Sequence, residues 1–310
     1  MSSLTHPLVS VAMCTYNGAR YLREQLDSIL QQTYPNLELV IMDDASGDQT
    51  VAIIREYEQK DARIRYQVNA ENLGYNRNFE KAILLCRGDI IAVSDQDDIW
   101  ESRKLEIMMQ KWPEGSDFIF SLSGTFYEND IAGRTEAPVV RYHDISDTHH
   151  LVFNSPVHGH AVMFRKEIVK PCLPFPPNVF YDWWISMHAA SLGSIGCVPE
   201  TLTWHRVHTK NSSRNLTTIE DLAEREKQLR EQCAFFIESF MKRPWAKPDE
   251  KRSLLEYARI LRNMNGRTFS WKMFGYAWKN RRKIFHYKQK PLVIFSHLKH
   301  AFRMGYKGLL

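Results

Sequence analysis

The chain has little cysteine. Five residues in 310, Cys14, Cys86, Cys172, Cys197 and Cys233, are odd in number, widely spaced and without a CxxC pair. Neither a disulfide framework nor a zinc site is expected from them. There is no run of ~18–20 apolar residues, so no membrane span is expected. The opening MSSLTHPLVSVAM has no charged start followed by a long apolar stretch, the pattern of a secretory signal. These absences point to a reducing cytoplasm. The turn after the first apolar run reads TYNGARYL and contains no GxGxxG, which argues against a nicotinamide dinucleotide site. The final 45 residues, Gly266 to Leu310, hold no Asp or Glu against eleven Lys and Arg, so this tail carries +11. The whole chain is +5, which leaves −6 for residues 1–265 by difference. A mildly acidic body therefore carries a strongly basic tail.

What is present begins with alternation. Leu8–Thr15, Leu37–Asp44, the RIRYQV stretch and Asp89–Ser94 read as strands. Between them Leu22, Leu26, Ile29 and Leu30 mark one helix, Val51, Ile54 and Tyr57 a second, and residues 76–85 a third. Strands alternating with helices of this length predict βαβ units and a largely parallel sheet, whose ligands bind beyond the carboxyl ends of the strands. Polar clusters follow three of the predicted strands: TYN, DDAS and SDQDD. Phe118–Phe126, Ala161–Arg165 and the TLTWHRV segment read as further strands, and Val179–Leu192 as a helix. Beyond about Thr217 only helical patterns remain, so the expected organisation is a domain over residues 1–215 and a helical region over 216–310.

The stretch IIAVSDQDDIW, Ile90–Trp100, delivers Asp95, Asp97 and Asp98 to the end of a buried strand. Asp95 and Asp97, two residues apart on an extended chain, can converge on one divalent cation. The competing assignment is a solvated turn with Asp98 capping the helix that contains Lys104. Asp43 and Asp44 pose the same choice, one accepting a bond from a base or ribose, the other capping. Tyr16 either stacks on a planar base or covers a sheet edge. His158 and His160, flanking Gly159, suit a transition metal or, more commonly, the polar lining of a pocket. The sequons at Asn211 and Asn215 carry no weight without a secretory signal.

Taken together, VSVAMCTYNGARYLREQLDSILQQTYPNLELVIMDDASGDQT, NLGYNRNFEKAI and GDIIAVSDQDDIW resemble glycosyltransferase family 2, inverting nucleotide-sugar enzymes of the GT-A fold. The likeness is strong over about residues 7–112 and looser to about 212, through NSPVHGHAVMFRKEI, FYDWW and WHRVHTKN. It is nearest to bacterial rhamnosyltransferase-type members that build surface polysaccharides. The resemblance implies a GT-A-type α/β sheet flanked by helices, followed by a helical extension. It assigns nucleotide binding to Thr15, Tyr16, Asn17, Asp44, Asn72, Arg77 and Asp95, and a Mn²⁺ or Mg²⁺ ion to Asp97, Asp95 and His208. Asp182 falls at the catalytic base, and His158, Gly159, His160, Trp183, Trp184 and Arg206 at the donor and acceptor pocket, with Arg206 beside the diphosphate. Two departures stand out: the QxxRW motif of processive synthases is missing, implying transfer of a single sugar, and Tyr181 precedes Asp182 where the family carries an acid. The implied donor is a UDP- or dTDP-sugar, dTDP-rhamnose among the candidates, and the acceptor a glycan or lipid-linked hydroxyl.

The basic tail interleaves Phe269, Trp271, Phe274, Tyr276, Trp278 and Phe285 with KNRRK. That pattern fits an interfacial helix on an anionic membrane, placing the protein peripherally at the inner face of the cell membrane. Its rivals are a helical cap on the catalytic domain and, more distantly, a nucleic-acid-binding surface. An inactive scaffold is the remaining alternative to an enzyme.

Overall fold

The computed structural model describes residues 6–136, 145–177, 179–209, 222–266, 268–286 and 293–309. Four parallel strands come first: β1 (Val9–Thr15), β2 (Leu37–Asp43), β3 (Ile64–Val68) and β4 (Ile90–Ser94). Helices α1 (Leu22–Leu30), α2 (Thr50–Lys60) and α3 (Tyr75–Leu85) make the crossovers. The register sets Thr15 opposite Asp43 and Met13 opposite Ser94, so the residues that follow each strand emerge at one level. Val9, Val11, Met13, Leu39, Ile41 and Ala92 are buried against Leu22, Leu26 and Ile29 of α1. Each large apolar side chain so buried contributes ~1.5–3 kcal/mol.

The second half of the sheet is mixed. β5 (Ile99–Trp100), α4 (Lys104–Gln110), β6 (Ser116–Tyr127), β7 (Asp130–Thr135), α5 (Thr148–Asn154), β8 (Val162–Arg165), α6 (Tyr181–Leu192) and β9 (Ser194–Val207) follow in order. The sheet runs β3-β2-β1-β4-β8-β6-β9-β5, with β7 on β6. β8 is antiparallel to both β4 and β6, β6 and β9 are parallel, and β5 is antiparallel to β9. Strand β9 therefore returns the chain to the SDQDD turn: Ile99 pairs with Trp204 and Trp100 with Thr203. This is an α/β sheet flanked by helices, as the sequence led one to expect. Asp98 does not cap α4, whose N-cap is Arg103 with no side-chain cap. Helix α6 starts at Tyr181, where Asn76 Oδ1 accepts the Tyr181 N–H at 3.1 Å.

The chain divides into two compact units, residues 1–144, 157–189 and 193–208 in one, and 145–156, 190–192 and 209–310 in the other. The boundary expected at 215 and the sequons at Asn211 and Asn215 lie outside the described residues. The second unit contains α7 (Leu222–Met241), α8 (Pro248–Arg262), α9 (Trp271–Lys279), α10 (Arg281–Ile284) and α11 (Val293–Lys307). Phe236, Phe240, Leu254, Tyr257, Leu261, Tyr276 and Phe285 fill its interior. Tyr276 and Phe285, expected on an interfacial face, are thus core residues. A buried relay runs from Asp147 Oδ1 to His149 Nδ1 (2.6 Å), from His149 Nε2 to Ser253 Oγ (3.0 Å) and on to the Tyr276 hydroxyl (3.1 Å). The His149 side chain is wholly buried and Ser253 lies mid-helix, so this relay is a strut between α5, α8 and α9. Among the described residues no helix is long and apolar enough to cross a membrane.

Candidate functional site

The turns after β1, β2 and β4 lock together. Asn17 takes a left-handed conformation (φ 48°), which Asn tolerates better than most residues. Its backbone N–H donates to Ser46 Oγ, and its side-chain oxygen accepts the Gly47 N–H at 2.8 Å. Gln96 clamps Tyr16 from both sides, accepting its N–H at 2.9 Å and donating to its carbonyl at 3.1 Å. A Cβ on Gly18 would fall 2.1 Å from Gln96 Oε1, so the clamp requires glycine there. The Tyr16 ring is left about half exposed, available to a flat ligand.

The two acids after β2 divide their tasks. Asp43, wholly buried, accepts from Thr15 Oγ1 (2.7 Å), the Ser46 N–H (2.8 Å) and Ser46 Oγ (2.6 Å). The Thr15 hydroxyl is thus spent on the scaffold. Asp44 Oδ1 accepts from Asn69 Nδ2 and the Leu73 N–H, both at 2.8 Å, and Oδ2 accepts the Gly74 N–H at 2.9 Å. Asp44 therefore shapes the 69–74 loop and keeps acceptor capacity on Oδ2. Asn72 lies on that loop and donates to the Asp44 carbonyl at 3.4 Å. Arg77, on an exposed face of α3, pairs with Glu80 at 2.9 Å.

At the end of β4 the carboxylates separate by burial. Asp95 is 39% exposed, Asp97 15% and Asp98 0%. Asp97 Oδ2 lies 2.8 Å from His208 Nε2. Burial raises the Asp97 pKa, with Asp98 and Asp95 adding to the rise and His208 opposing it. Asp97 and His208 thus form a carboxylate–imidazole pair at the end of the sheet. Asp98 Oδ1 accepts from His205 Nδ1 and the Arg206 N–H, each at 3.0 Å, while Oδ2 lies 3.4 Å from His160 Nδ1. Burial alone would lower the His205 pKa, but its bond to Asp98 and the charges of Asp98, Asp95 and Asp97 lift it to about 9. His205 is therefore positive at neutral pH, and Asp98, held below its ordinary pKa despite burial by His160 and His205, is its counter-ion. Asp98, His160 and His205 form the group with metal-ligand spacing among the described residues, rather than His158 with His160. The three rings of His158, His160 and His205 lie nearly parallel, 5.6 and 5.0 Å apart.

Asp182 opens α6, with Oδ1 accepting the Trp183 N–H at 2.8 Å. Burial, reinforced by Asp95 and opposed chiefly by that bond, raises its pKa to about 6. Gly159 passes so close that a Cβ would stand 2.6 Å from the Tyr181 hydroxyl and 3.2 Å from Asp182 Oδ2. The HGH segment and Asp182 are thus adjacent, and Trp183 is half-buried beside them.

Two expectations are corrected. Trp184 is wholly buried, its indole N–H donating to the Cys172 carbonyl at 3.1 Å, so it is core and not pocket wall. Arg206, also wholly buried, does not face a diphosphate. It lies between the Tyr21 and Phe126 rings at 4.4 and 4.5 Å, bonds Glu24 at 2.6 Å and donates from Nε to the Asp97 carbonyl at 2.8 Å. Its task is to hold Asp97 in place. Sequence reasoning missed Lys104, buried under the site with Nζ 2.8 Å from the His160 carbonyl and 3.5 Å from the Trp100 ring centroid. It also missed Asn69 and Asn78, whose buried amides bond each other at 2.9 Å behind Asp44.

The sequence model of the glycosyl transferase family 2 matches residues 10–172. An uncharacterized glycosyltransferase of Haemophilus influenzae is 27% identical over 67% of this chain and 68% of its own length. The Escherichia coli UDP-Glc:alpha-D-GlcNAc-diphosphoundecaprenol beta-1,3-glucosyltransferase WfgD is 28% identical over 61% of this chain and 74% of its own. Among solved structures, S. aureus TarS 1–349 in complex with UDP-GlcNAc superposes with TM-score 0.60 at 16% identity, covering 97% of this chain and 90% of that one. The Pyrobaculum calidifontis mannosyltransferase PcManGT with GDP-Man and Mn²⁺ gives 0.57 at 18%, covering 97% and 81%. With the family pattern running through more than half of the chain and a GT-A sheet carrying it, the chain belongs to glycosyl transferase family 2.

Proposed function

We propose that this glycosyltransferase moves one sugar from a nucleoside-diphosphate donor to a hydroxyl of a glycan or lipid-linked acceptor in surface polysaccharide synthesis, with inversion at the anomeric carbon. The observation that carries the reading is the Asp97–His208 pair, 2.8 Å apart at the carboxyl end of the sheet with Asp95 beside it. Asp97, His208 and Asp95 would hold a divalent cation, Mn²⁺ in preference to Mg²⁺ because one donor is an imidazole. Such an ion, when bound, supplies Lewis-acid stabilisation of the departing diphosphate. Tyr16 offers a face to the base, and Asp44 Oδ2 an acceptor. Asp182, with a pKa of about 6, is ionised at neutral pH yet basic enough to take the acceptor hydroxyl's proton. WfgD, a named relative, uses a UDP-sugar, which favours a uridine donor; a thymidine donor such as dTDP-rhamnose is the alternative the titration tests. Calorimetric titration of UDP, dTDP and GDP with Mn²⁺ and then with EDTA tests the reading. One diphosphate should bind only with metal, and Asp97→Asn should weaken it at least ~10-fold. Equal binding by wild type and Asp97→Asn would overturn the metal assignment.

The same reading makes the protein a peripheral one, working at the cytoplasmic face of a membrane. Helix α11 has two apolar faces. His297, Ala301, Met304 and Gly305 are buried, while Phe295, Leu298, Phe302 and Tyr306, spaced i, i+3, i+7 and i+11, are exposed. Lys299, Arg303 and Lys307 flank that exposed stripe, and Trp271 stands 71% exposed next to Phe269, whose ring also touches Phe302 and Tyr306. Exposed aromatics edged by cations, with no acid anywhere after Gly266, suit an anionic bilayer surface.

A further inference from the structure

A cleft of about 290 Å³ opens in the helical unit between the α10 segment and the start of α11. Arg281, Arg282, His286 and His297 line it together with apolar Phe285 and Ile294. Two features make it more than a basic surface. First, among the described residues no Asp or Glu pairs with Arg281 or Arg282, although Lys283 next to them is paired with Asp147 at 3.2 Å. Second, His297 is buried to 7% exposure, and its Nε2 has no hydrogen-bond partner among the described residues. A buried, unpaired ring nitrogen costs roughly 1–3 kcal/mol of lost hydration unless something binds it. Its ring packs against Phe285, with centroids 5.3 Å apart.

We infer that this cleft binds the phosphate group of an anionic membrane lipid. Arg282, and the Arg281 nitrogens left beside its Nη1 bond to the Trp278 carbonyl (2.9 Å), supply donors that match phosphate oxygens, and His297 Nε2 accepts the remaining P–O–H proton of a singly ionised phosphate monoester. The apolar half of the ligand is accounted for by the same helix. Ile294 lines the cleft and is itself 48% exposed, and Phe295 and Leu298 continue the stripe from there. A free phosphate ion would use the cations and leave Phe285 and Ile294 idle, whereas a lipid uses both. The inference builds on the membrane reading but can fail separately, because the stripe alone would hold a bilayer without choosing a headgroup.

The test is co-sedimentation of the full chain with phosphatidylcholine vesicles doped with phosphatidic acid, or to equal surface charge with phosphatidylserine. The wild type should prefer phosphatidic acid. The double variant Arg281→Gln/Arg282→Gln should bind about thirtyfold more weakly and lose the preference, at ~1 kcal/mol for each cation. His297→Gln should lose the preference too, and Arg282→Gln alone, at an exposed position, serves if the double variant misfolds. A control with the same charge change on α8, Lys251→Gln/Arg252→Gln, should keep the preference, and all variants should keep metal-dependent nucleotide binding. Wild-type affinity and preference in the cleft variants would overturn the site while leaving the stripe intact. Binding of inorganic phosphate as tight as that of phosphatidic acid vesicles would reassign the cleft to a free ion. Tighter binding to an RNA or DNA oligonucleotide, lost in the same variants, would overturn the lipid altogether. No binding of the wild type to any vesicle would sink both readings.

Discussion

Asp182 carries a prediction with two independent arms. Its pKa of about 6 lies well above the ordinary 3.8 because burial and the Asp95 charge oppose ionisation more than the Trp183 N–H favours it. A base with that pKa is ~90% ionised at pH 7 and ~10% at pH 5, so kcat should fall roughly ninefold between them. An unshifted carboxylate would lose less than about a tenth over the same interval. The assay is release of nucleoside diphosphate at saturating donor, acceptor and Mn²⁺, with donor affinity measured at each pH to separate Asp182 from Asp97 and His208. The second arm is stability. A carboxyl whose folded pKa is raised destabilises the fold when ionised. That destabilisation is absent below about pH 4 and complete above about pH 6, at most ~3 kcal/mol. Asp182→Asn should therefore be inactive yet ~1–3 kcal/mol more stable at pH 7, raising Tm by roughly 2–8 °C. A flat kcat from pH 7 to 5 together with a destabilised Asp182→Asn would refute the assignment of Asp182 as a poised base.

The parallel half of the sheet was legible because each strand there is a short apolar run closed by polar residues, and each crossover helix shows its buried stripe, as in Leu22, Leu26 and Ile29. In the mixed half β6, β8 and β9 were legible as apolar runs, but β5, with two residues, and the largely exposed β7 were not. Nor was the strand order, which places β8 between β4 and β6 and β9 beside β6. Residues recruited from afar were equally hidden: Ile145–Pro156 belongs with the C-terminal helices although some fifty residues of the other unit follow it.

In the site, type and place in the sequence predicted which residues gather but not which are spent holding others. Asp98 read as a helix cap because it precedes a helix, yet β9 delivers His205 and the Arg206 N–H to its Oδ1. Arg206 read as a diphosphate partner because it lies near His208, where the resemblance places a metal ligand. Its burial between Tyr21 and Phe126 depends on packing from α1 and β6, which no local pattern encodes. The tail illustrates the same limit. Its aromatics announced an apolar face, but only the helical phase of α11 against its core sorts Phe295 and Phe302 to the outside, and only the packing at the end of α10 takes Phe285 inside.

Two further outcomes follow from this division between ligands and supports. Because the His205 folded pKa is raised from 6.5 to about 9, its pairing with Asp98 stabilises fully below about pH 6.5 and is lost as pH rises through about 9. Asp98→Asn should cost ~3–5 kcal/mol near neutrality in urea unfolding and flatten that alkaline loss, and an unchanged alkaline slope would show the pair to be inert. Gly159→Ala probes the join between the HGH segment and the proposed base. The new methyl would meet the Tyr181 hydroxyl at 2.6 Å and Asp182 Oδ2 at 3.2 Å. Tyr181 is buried and stacked on Phe79 with ring centroids 4.2 Å apart, so it cannot yield, and the displacement must fall on Asp182 or on the 158–160 backbone. A shift approaching 1 Å at a proton acceptor costs up to ~10²-fold in kcat, whereas Tyr16, Asp44 and Asp97, on the other turns, stay in place and nucleotide affinity should hold within about threefold. Normal kcat in Gly159→Ala would mean that the 158–160 backbone takes up the methyl and that Asp182 does not depend on this contact.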